Sequence, residues 1–419
     1  MSEAAHLRDA AWLRDGEVAR LLALLDRDGE EARVVGGAVR NALLGLPVAE
    51  IDVATTALPA EVVRRAEAAG YKAVPTGIEH GTVTVVINHH PFEVTTLRVD
   101  VETFGRKARV VFGRDWIADA QRRDFTINAL FADASGQVLD LVGGLADLAA
   151  RRVRFIGEPQ LRIAEDYLRI LRFFRFHAYF AEGAPDATGL HACIRARDGL
   201  ETLSRERVRM ELLKLLLAPR ATPTLVVMAE SGLLGPVLGG VPFLASFENT
   251  AKVEAAIGAK PDAVRRLGAL GVSVKEDAQR LTQRLRLSNT ESERLLALEG
   301  WWRVAPGAGE QAAHALLYDL GPQSFTDRVL VAWARSEAGA ADRNWRTLAS
   351  LPQRWTAPIF PLKSADFSSR GVPAGPALGA AMREAKTAWI AADFPADAAA
   401  VEAIAERATQ ATARGLKRS

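Results

Sequence analysis

Val34-Val35-Gly36-Gly37-Ala38-Val39-Arg40-Asn41-Ala42-Leu43-Leu44-Gly45, followed by Glu50-Ile51-Asp52-Val53-Ala54-Thr55-Thr56, is the stretch on which the reading of this chain turns. An apolar run meets two glycines and then an amphipathic segment, which predicts a strand, a phosphate-sized turn and the start of a helix. Glycines let backbone approach an anion closely, and the free amides of the next helix's first turn offer donors and positive potential. Arg40, one turn in, adds a charged fork. After Pro47 a second strand is expected to carry Glu50 and Asp52, two positions apart and therefore on one face of a sheet. Two carboxylates on one face repel unless a cation lies between them, and a divalent metal is the usual partner. The order of these pieces proposes a magnesium-nucleotide site. Taken singly, the glycine pair is commonly a plain tight turn, and an acidic pair on a strand is commonly a solvated edge.

Upstream, residues 5–30 place Val18, Leu21, Leu22 and Leu25 at helical spacing, an amphipathic lead-in helix. Downstream, Pro59 to Ala69 reads as a helix with proline near its start and Gly70 just beyond its end. Thr82 to Ile87 and Phe92 to Leu97 are β-branched runs separated by Asn88-His89-His90-Pro91, which predicts a hairpin. Glu93 alternates with Phe92 and Val94, so it is either a solvent-face residue or a third ligand of the metal. Between Leu97 and Arg114, the residues Asp100, Glu102, Gly105, Arg106, Lys107 and Arg109 follow without clear periodicity. They read as a mobile loop, either a cover over substrate or a solvated connection.

Asp115-Trp116-Ile117-Ala118-Asp119-Ala120-Gln121-Arg122-Arg123-Asp124-Phe125-Thr126-Ile127-Asn128 comes next. Its charges alone describe a helix whose side chains pair with one another, while paired arginines beside an aspartate also suit a triphosphate and a ribose hydroxyl. Asp140-Leu141-Val142-Gly143-Gly144 reads as a strand end and a flexible glycine corner. Arg151 to Phe180 holds seven arginines against Glu158, Glu165 and Asp166. Its centre, from Glu165 to Phe176, is apolar on nearly every face and predicts one buried helix. Asp166 and Arg169, three apart, share a face of that helix, which by itself describes a structural ion pair.

Gly-Gly-Ala-Val-Arg-Asn-x-Leu-Leu-Gly with Glu-Ile-Asp-x-Ala-Thr-Thr, the Arg122-Arg123-Asp124 segment and Glu165-Asp166-x-x-Arg169 together resemble the class II transfer RNA nucleotidyltransferases and bacterial poly(A) polymerases. The resemblance is strong over about residues 31–215 and weak beyond. It implies an α/β, polymerase β-like nucleotidyltransferase head followed by an all-α neck, body and tail. It also implies that Glu50, Asp52 and Glu93 are the catalytic carboxylates, with magnesium on Glu50 and Asp52, and that Gly36, Gly37 and Arg40 seat the triphosphate. Arg123, Asp124 and Asn128 would contact nucleotide and ribose. Asp166 and Arg169 would read the Watson-Crick edge of the incoming base, a donor and acceptor pair suited to cytosine and adenine. Arg172 and Arg175 would contact phosphate or hold the template, and Ser204 to Lys214 would brace it. The implied reaction is attack of an RNA 3′ hydroxyl on the α-phosphate of CTP or ATP, releasing pyrophosphate. Glu50 departs from the family's aspartate, and its extra methylene displaces a ligand by about 1.5 Å.

The chain has 419 residues, 49% hydrophobic and 25% charged, with a formal charge of +2, so more than one domain is expected and any nucleic-acid surface is a local patch. The single cysteine, Cys193, excludes an internal disulfide and a cysteine zinc site, and its apolar neighbours predict a buried thiol. No apolar run is long enough for a membrane span and no signal peptide is evident, which predicts a cytoplasmic protein. The expected domains are a head over 1–145, a helical neck over 146–240 and a tRNA-binding body and tail over 241–419. Trp301, Trp302, Trp333, Trp345 and Trp355 are read as core. The expected partners are a tRNA 3′ end, CTP and ATP, with no membrane and no obligate protein partner. The function read first is CCA addition or repair. A poly(A) polymerase or a partial A-only or C-only enzyme is the alternative, and a catalytically impaired RNA-binding relative the third.

Overall fold

A computed structural model describes residues 6–7, 10–14, 16–104 and 107–416. The chain forms two compact units, Met1–Gly239 and Gly240–Ser419.

The first unit opens with two helices, α1 (Ala11–Arg14) and α2 (Glu17–Leu25), in place of one lead-in helix. Gly16, at φ 92°, breaks them, a conformation that a side chain would resist. α2 buries Val18, Leu21, Leu22 and Leu25 as its periodicity predicts. Strand β1 (Ala32–Val35) runs into helix α3 (Gly37–Leu43), and β2 (Asp52–Thr55) and α4 (Pro59–Ala68) follow. Arg65 of α4 donates from its buried guanidinium to the carbonyls of Leu25 and Arg27 at 3.0 and 3.2 Å, satisfying the end of α2.

Strands β3 (Lys72–Gly77), β4 (Thr82–Ile87) and β5 (His90–Thr96) follow, with Asn88 and His89 both at positive φ in the two-residue turn. That turn matches the right-handed twist of the paired strands and lets β5 begin two residues earlier than the sequence indicates. With β8 (Leu130–Ala132) and β9 (Val138–Asp140) they complete a seven-stranded sheet in the order β3-β4-β5-β2-β1-β8-β9. Among the described residues only the β2·β5 pair is parallel, and it sets Asp52 opposite Glu93.

The expected loop after Leu97 is a second, two-stranded sheet of β6 (Arg98–Phe104) and β7 (Lys107–Phe112). Val99, Val101 and Thr103 alternate with charges there, a strand pattern with one polar face that the charge density conceals. Gly105 and Arg106, and the side chains of Asp100, Glu102, Lys107 and Arg109, lie outside the described residues.

Helix α5 (Trp116–Gln121) is capped by Asp115, whose carboxylate accepts the Ile117 N–H at 2.8 Å. The expected flexible glycine corner is pinned: the Asp140 carboxylate accepts the N–H groups of Gly143, Gly144 and Leu145, each at 2.9 Å. A Cβ on Gly144 would lie 2.3 Å from the Thr126 carbonyl oxygen, so this glycine serves close approach. Helix α6 (Gly144–Ala149) starts there, followed by α7 (Pro159–Glu165), α8 (Leu168–Phe180), α9 (Ala187–Arg195) and α10 (Arg205–Leu216). α8 packs an aromatic core in which Phe173 stacks on Phe155 at 5.3 Å. Cys193 is buried, which pushes its thiol well above the ordinary range.

The second unit is helical throughout its described residues, with its longest element, Glu310–Ala334, kinked at Gly321 and Pro322. Trp333 and Trp345 are core and stack at 6.2 Å, but Trp302 stands 51% exposed, so it is not core. No helix among the described residues is long and apolar enough to cross a membrane.

Candidate active site

Asp52 opens β2 in register with Glu93 of β5, two carboxylates fixed by one ladder. Glu50 lies ahead of the strand in irregular chain, not on it as the spacing predicts. The reason is local: the partner strand β1 ends at Val35, paired with Asp52, and turns away at Gly36. The three carboxylates still line one cavity of about 820 Å³. Enclosure by the cleft raises the Asp52 carboxyl above its ordinary value, Glu93 and Glu50 raise it further, and Arg123 opposes them. Among the described residues no three His, Cys, Asp or Glu side chains close into a metal cage. Hard oxygen donors in an open cleft fit a divalent cation that takes one or two carboxylates and completes its shell with water and phosphate oxygens.

Beside the carboxylates, Gly36 sits at φ 75°, and a Cβ there would lie 3.4 Å from the Asn128 carbonyl and 3.9 Å from the Arg123 guanidinium. Asp119, fully buried, holds Arg123 at 2.9 Å and Arg122 at 2.5 Å. Asp124 accepts from Asn128 at 3.1 Å and from Arg172 Nε at 2.8 Å. Burial opposes the Asp124 charge, but Arg172, Asn128 and the Phe125 N–H outweigh it and hold the carboxyl below its usual range. Arg40 is 7% exposed. Its fork donates to the side-chain oxygens of Asn128 and Asn41, and its guanidinium lies 3.9 Å from the Phe180 ring centre. Burial and the nearby Arg175 and Arg172 lower the Arg40 pKa to about 10, with Asp124 opposing. The structure thus gathers Gly36, Gly37, Arg40, Arg123, Asp124, Asn128, Arg172 and Arg175 into one neighbourhood, with Arg40 directed inward.

The expected single helix from Glu165 to Phe176 is broken. Asp166 is extended between α7 and α8, where its carboxylate accepts the Leu168 N–H at 3.1 Å and both Arg207 amino groups, at 3.1 and 2.5 Å. A short acceptor at a helix start competes with helical backbone, and here it wins. Arg169, in the first turn of α8, donates to Glu165 at 2.5 Å and to the Arg162 carbonyl at 2.6 Å. The two residues therefore do not share a helical face, and each takes its own partner. A cavity of about 430 Å³ opens beside Asp166, lined also by Tyr167, Ser204 and Arg207. Arg175 Nε donates to Glu211 at 2.5 Å. Arg207 and Glu211 belong to the Ser204–Lys214 segment expected to brace the template; sequence reasoning did not pick them out individually, and their four-residue spacing on α10, facing a carboxylate and two arginines, is the signal that finds them.

A mixed sheet with carboxylates on adjoining strands, a glycine turn flanked by guanidiniums and a helical continuation define a nucleotidyltransferase. The poly A polymerase head domain family matches residues 32–154, and the family described as the probable RNA and SrmB-binding site of polymerase A matches 187–247. The CCA tRNA nucleotidyltransferase 1, mitochondrial, of Mus musculus is 33% identical over 375 residues, covering 88% of this chain and 85% of that protein. The CCA-adding enzyme of Limosilactobacillus fermentum is 33% identical over 378 residues, covering 86% and 89%. The crystal structure of the Bacillus stearothermophilus CCA-adding enzyme in complex with CTP superposes with a TM-score of 0.73 at 29% identity, covering 93% of this chain and 96% of that one. The chain belongs to the class II CCA-adding tRNA nucleotidyltransferases, a family dependent on divalent metal.

Proposed function

We propose that Glu50, Asp52 and Glu93 are the catalytic carboxylates of this chain, and that the guanidinium network beside Gly36 seats its nucleotide. As a member of its family the chain adds or repairs the 3′-terminal CCA of tRNA from CTP and ATP and releases pyrophosphate. The observation that carries the site assignment is the register pairing of Asp52 with Glu93 on the single parallel pair of the sheet.

Magnesium is the metal we assign, on Glu50 and Asp52; when bound it activates the 3′ hydroxyl and neutralises charge on the departing pyrophosphate. The new bond joins the RNA 3′ oxygen to the α-phosphorus as the bond to the β-phosphate's bridging oxygen breaks. Gly36 and Gly37 let backbone approach the triphosphate, and Arg123, oriented by Asp119, supplies charge beside them. Asp124 and Asn128 are assigned to the ribose side, with Arg40 holding Asn128 in place. Asp166 and Arg169 are assigned to the base, and Arg172 and Arg175 to phosphate or to holding the template. Most of the acceleration then comes from positioning and electrostatics. Glu50 stands in chain not fixed by the ladder, which supports absorption of its extra methylene by backbone adjustment. We assign residues 1–145 to the head, 146–240 to the neck and 241–419 to a tRNA-binding body and tail. A buried, unpartnered Cys193 suits the cytoplasm as the working compartment.

The test is nucleotide incorporation, with magnesium, into tRNAs ending before CCA, after the first C and after both. Ordered C, C and A addition that then stops is expected. Long A tails or a single type of addition would replace this reading with a poly(A) polymerase or a partial enzyme, and RNA binding with no incorporation would point to a non-catalytic relative.

A further inference from the structure

The cavity that holds Glu50, Asp52 and Glu93 has a second wall. It comes from α1, α2 and the β4–β5 turn, and it presents Trp12, Arg20, Asn88 and His90 to the same space as the carboxylates. Trp12 is half-buried, and Arg20 is exposed, with no carboxylate or hydrogen-bond partner for its guanidinium among the described residues. Glu17 and His90 pair at 2.7 Å across the cavity edge and tie α2 to the hairpin. None of the groups assigned above to the triphosphate or the base lines this space. At about 820 Å³ it is of a size that ligand sites commonly have.

Phosphoryl transfer in line places the attacking oxygen and the leaving oxygen on opposite sides of the phosphorus. A nucleotide seated along Gly36, Arg123 and Asp124 therefore leaves its attacker to arrive at the carboxylates from another side. A half-buried indole and an unpaired guanidinium are the two groups that sites for single-stranded nucleic acid combine: a face for a base and a charge for a phosphodiester. We propose that this second wall receives the unpaired 3′-terminal nucleotide of the acceptor RNA, with Trp12 stacking on its base and Arg20 pairing with its phosphate. The proposal rests on the carboxylate assignment made under the proposed function and gives the same cavity a distinct second substrate.

The experiment uses the full chain with Trp12→Ala, Trp12→Phe and Arg20→Ala. Two RNAs are compared, a tRNA ending just before CCA and the same tRNA cut back to a blunt acceptor stem. Expected for Trp12→Ala is a loss of affinity for the first RNA on the order of tenfold, largely restored in Trp12→Phe, with affinity for the blunt RNA unchanged. Arg20→Ala is expected to weaken binding to the first RNA and to reduce its salt dependence by about one phosphate contact. In turnover, KM for the RNA rises while KM for CTP holds. Equal losses on both RNAs, or no loss on either, overturn the proposal, as does a raised KM for CTP at constant RNA affinity, which would give the cavity to the incoming nucleotide. Binding is read without chemistry, so selective loss on the first RNA in a protein that incorporates nothing would sink the carboxylate assignment while upholding the RNA-end site.

Discussion

Two arginine–carboxylate networks, one in each unit, are built from the same groups to opposite ends. In the second unit Arg265 bonds Asp327 at 2.9 Å and Glu254 at 2.7 Å, Arg266 bonds Glu254 at 2.8 Å, and Arg294 bridges Asp327 and Asp262, each at 2.7 Å. Three guanidiniums meet three carboxylates, and Glu254 and Asp327 are each 1% exposed. The first unit sets Arg40, Arg122, Arg123, Arg172 and Arg175 against Asp119, Asp124 and Glu211. Among the described residues Arg40 finds only amide oxygens for its fork, and burial, with Arg175 and Arg172 nearby, lowers its pKa to about 10. Balanced charge closes the first of these networks upon itself. Surplus positive charge leaves the other fitted to receive a polyanion.

Removing a carboxylate should therefore act differently in the two units, and most strongly at Asp52, the carboxylate proposed to be catalytic. Asp52→Asn is expected to lower kcat on the order of 10³- to 10⁴-fold in steady-state incorporation of CTP. The same change should slightly stabilise the metal-free protein at neutral pH. The folded-state pKa of Asp52 lies above its ordinary value, so its ionisation opposes folding. That penalty is absent at pH below the ordinary carboxylate range, grows as pH rises from the ordinary value to the raised one and is full above it. Because the side chain reaches solvent, the gain is under about 1 kcal/mol, read as a small rise in Tm with EDTA present. A fall in Tm would contradict the electrostatic account.

Asp327→Ala should show the reverse pattern. It takes from Arg265 and Arg294 one of the two carboxylates each bonds, leaves the buried network with surplus positive charge, and is expected to cost about 3–5 kcal/mol in denaturant unfolding. CTP affinity measured well below the unfolding transition should hold, and a loss there would erase the contrast between the networks. Arg172→Lys is the mildest probe. It keeps the charge and gives up the two-pronged bond to Asp124, at an expected cost of about 1.5–3 kcal/mol in CTP binding with little change in Tm. Equal losses of affinity and stability would make Arg172 a structural residue.

What the sequence disclosed and what it withheld divide along contact distance. The glycine turn, the β4–β5 hairpin and the amphipathic face of α2 were legible because each is decided within a few residues. The site residues came from resemblance in motif order, since no spacing rule links Arg40 to Asn128, 88 positions away, or Asp124 to Arg172, 48 away. The break at Asp166 was illegible for the same reason: its carboxylate is held by Arg207, 41 residues on, and periodicity registers only neighbours. β6 and β7 were hidden by charge, because alternating polar residues on a short hairpin resemble a solvated loop.

The match to the poly A polymerase head domain starts at residue 32, but the contacts of Arg65 tie α4 to α2, which lies ahead of it. A head excised at Ala32 would discard α2, uncover the apolar surface that Leu21, Leu22 and Leu25 cover, and leave a buried guanidinium without the carbonyls it now serves. The evolutionary signature and the physical unit thus have different edges, and a shortened head designed on the signature alone would be prone to aggregate.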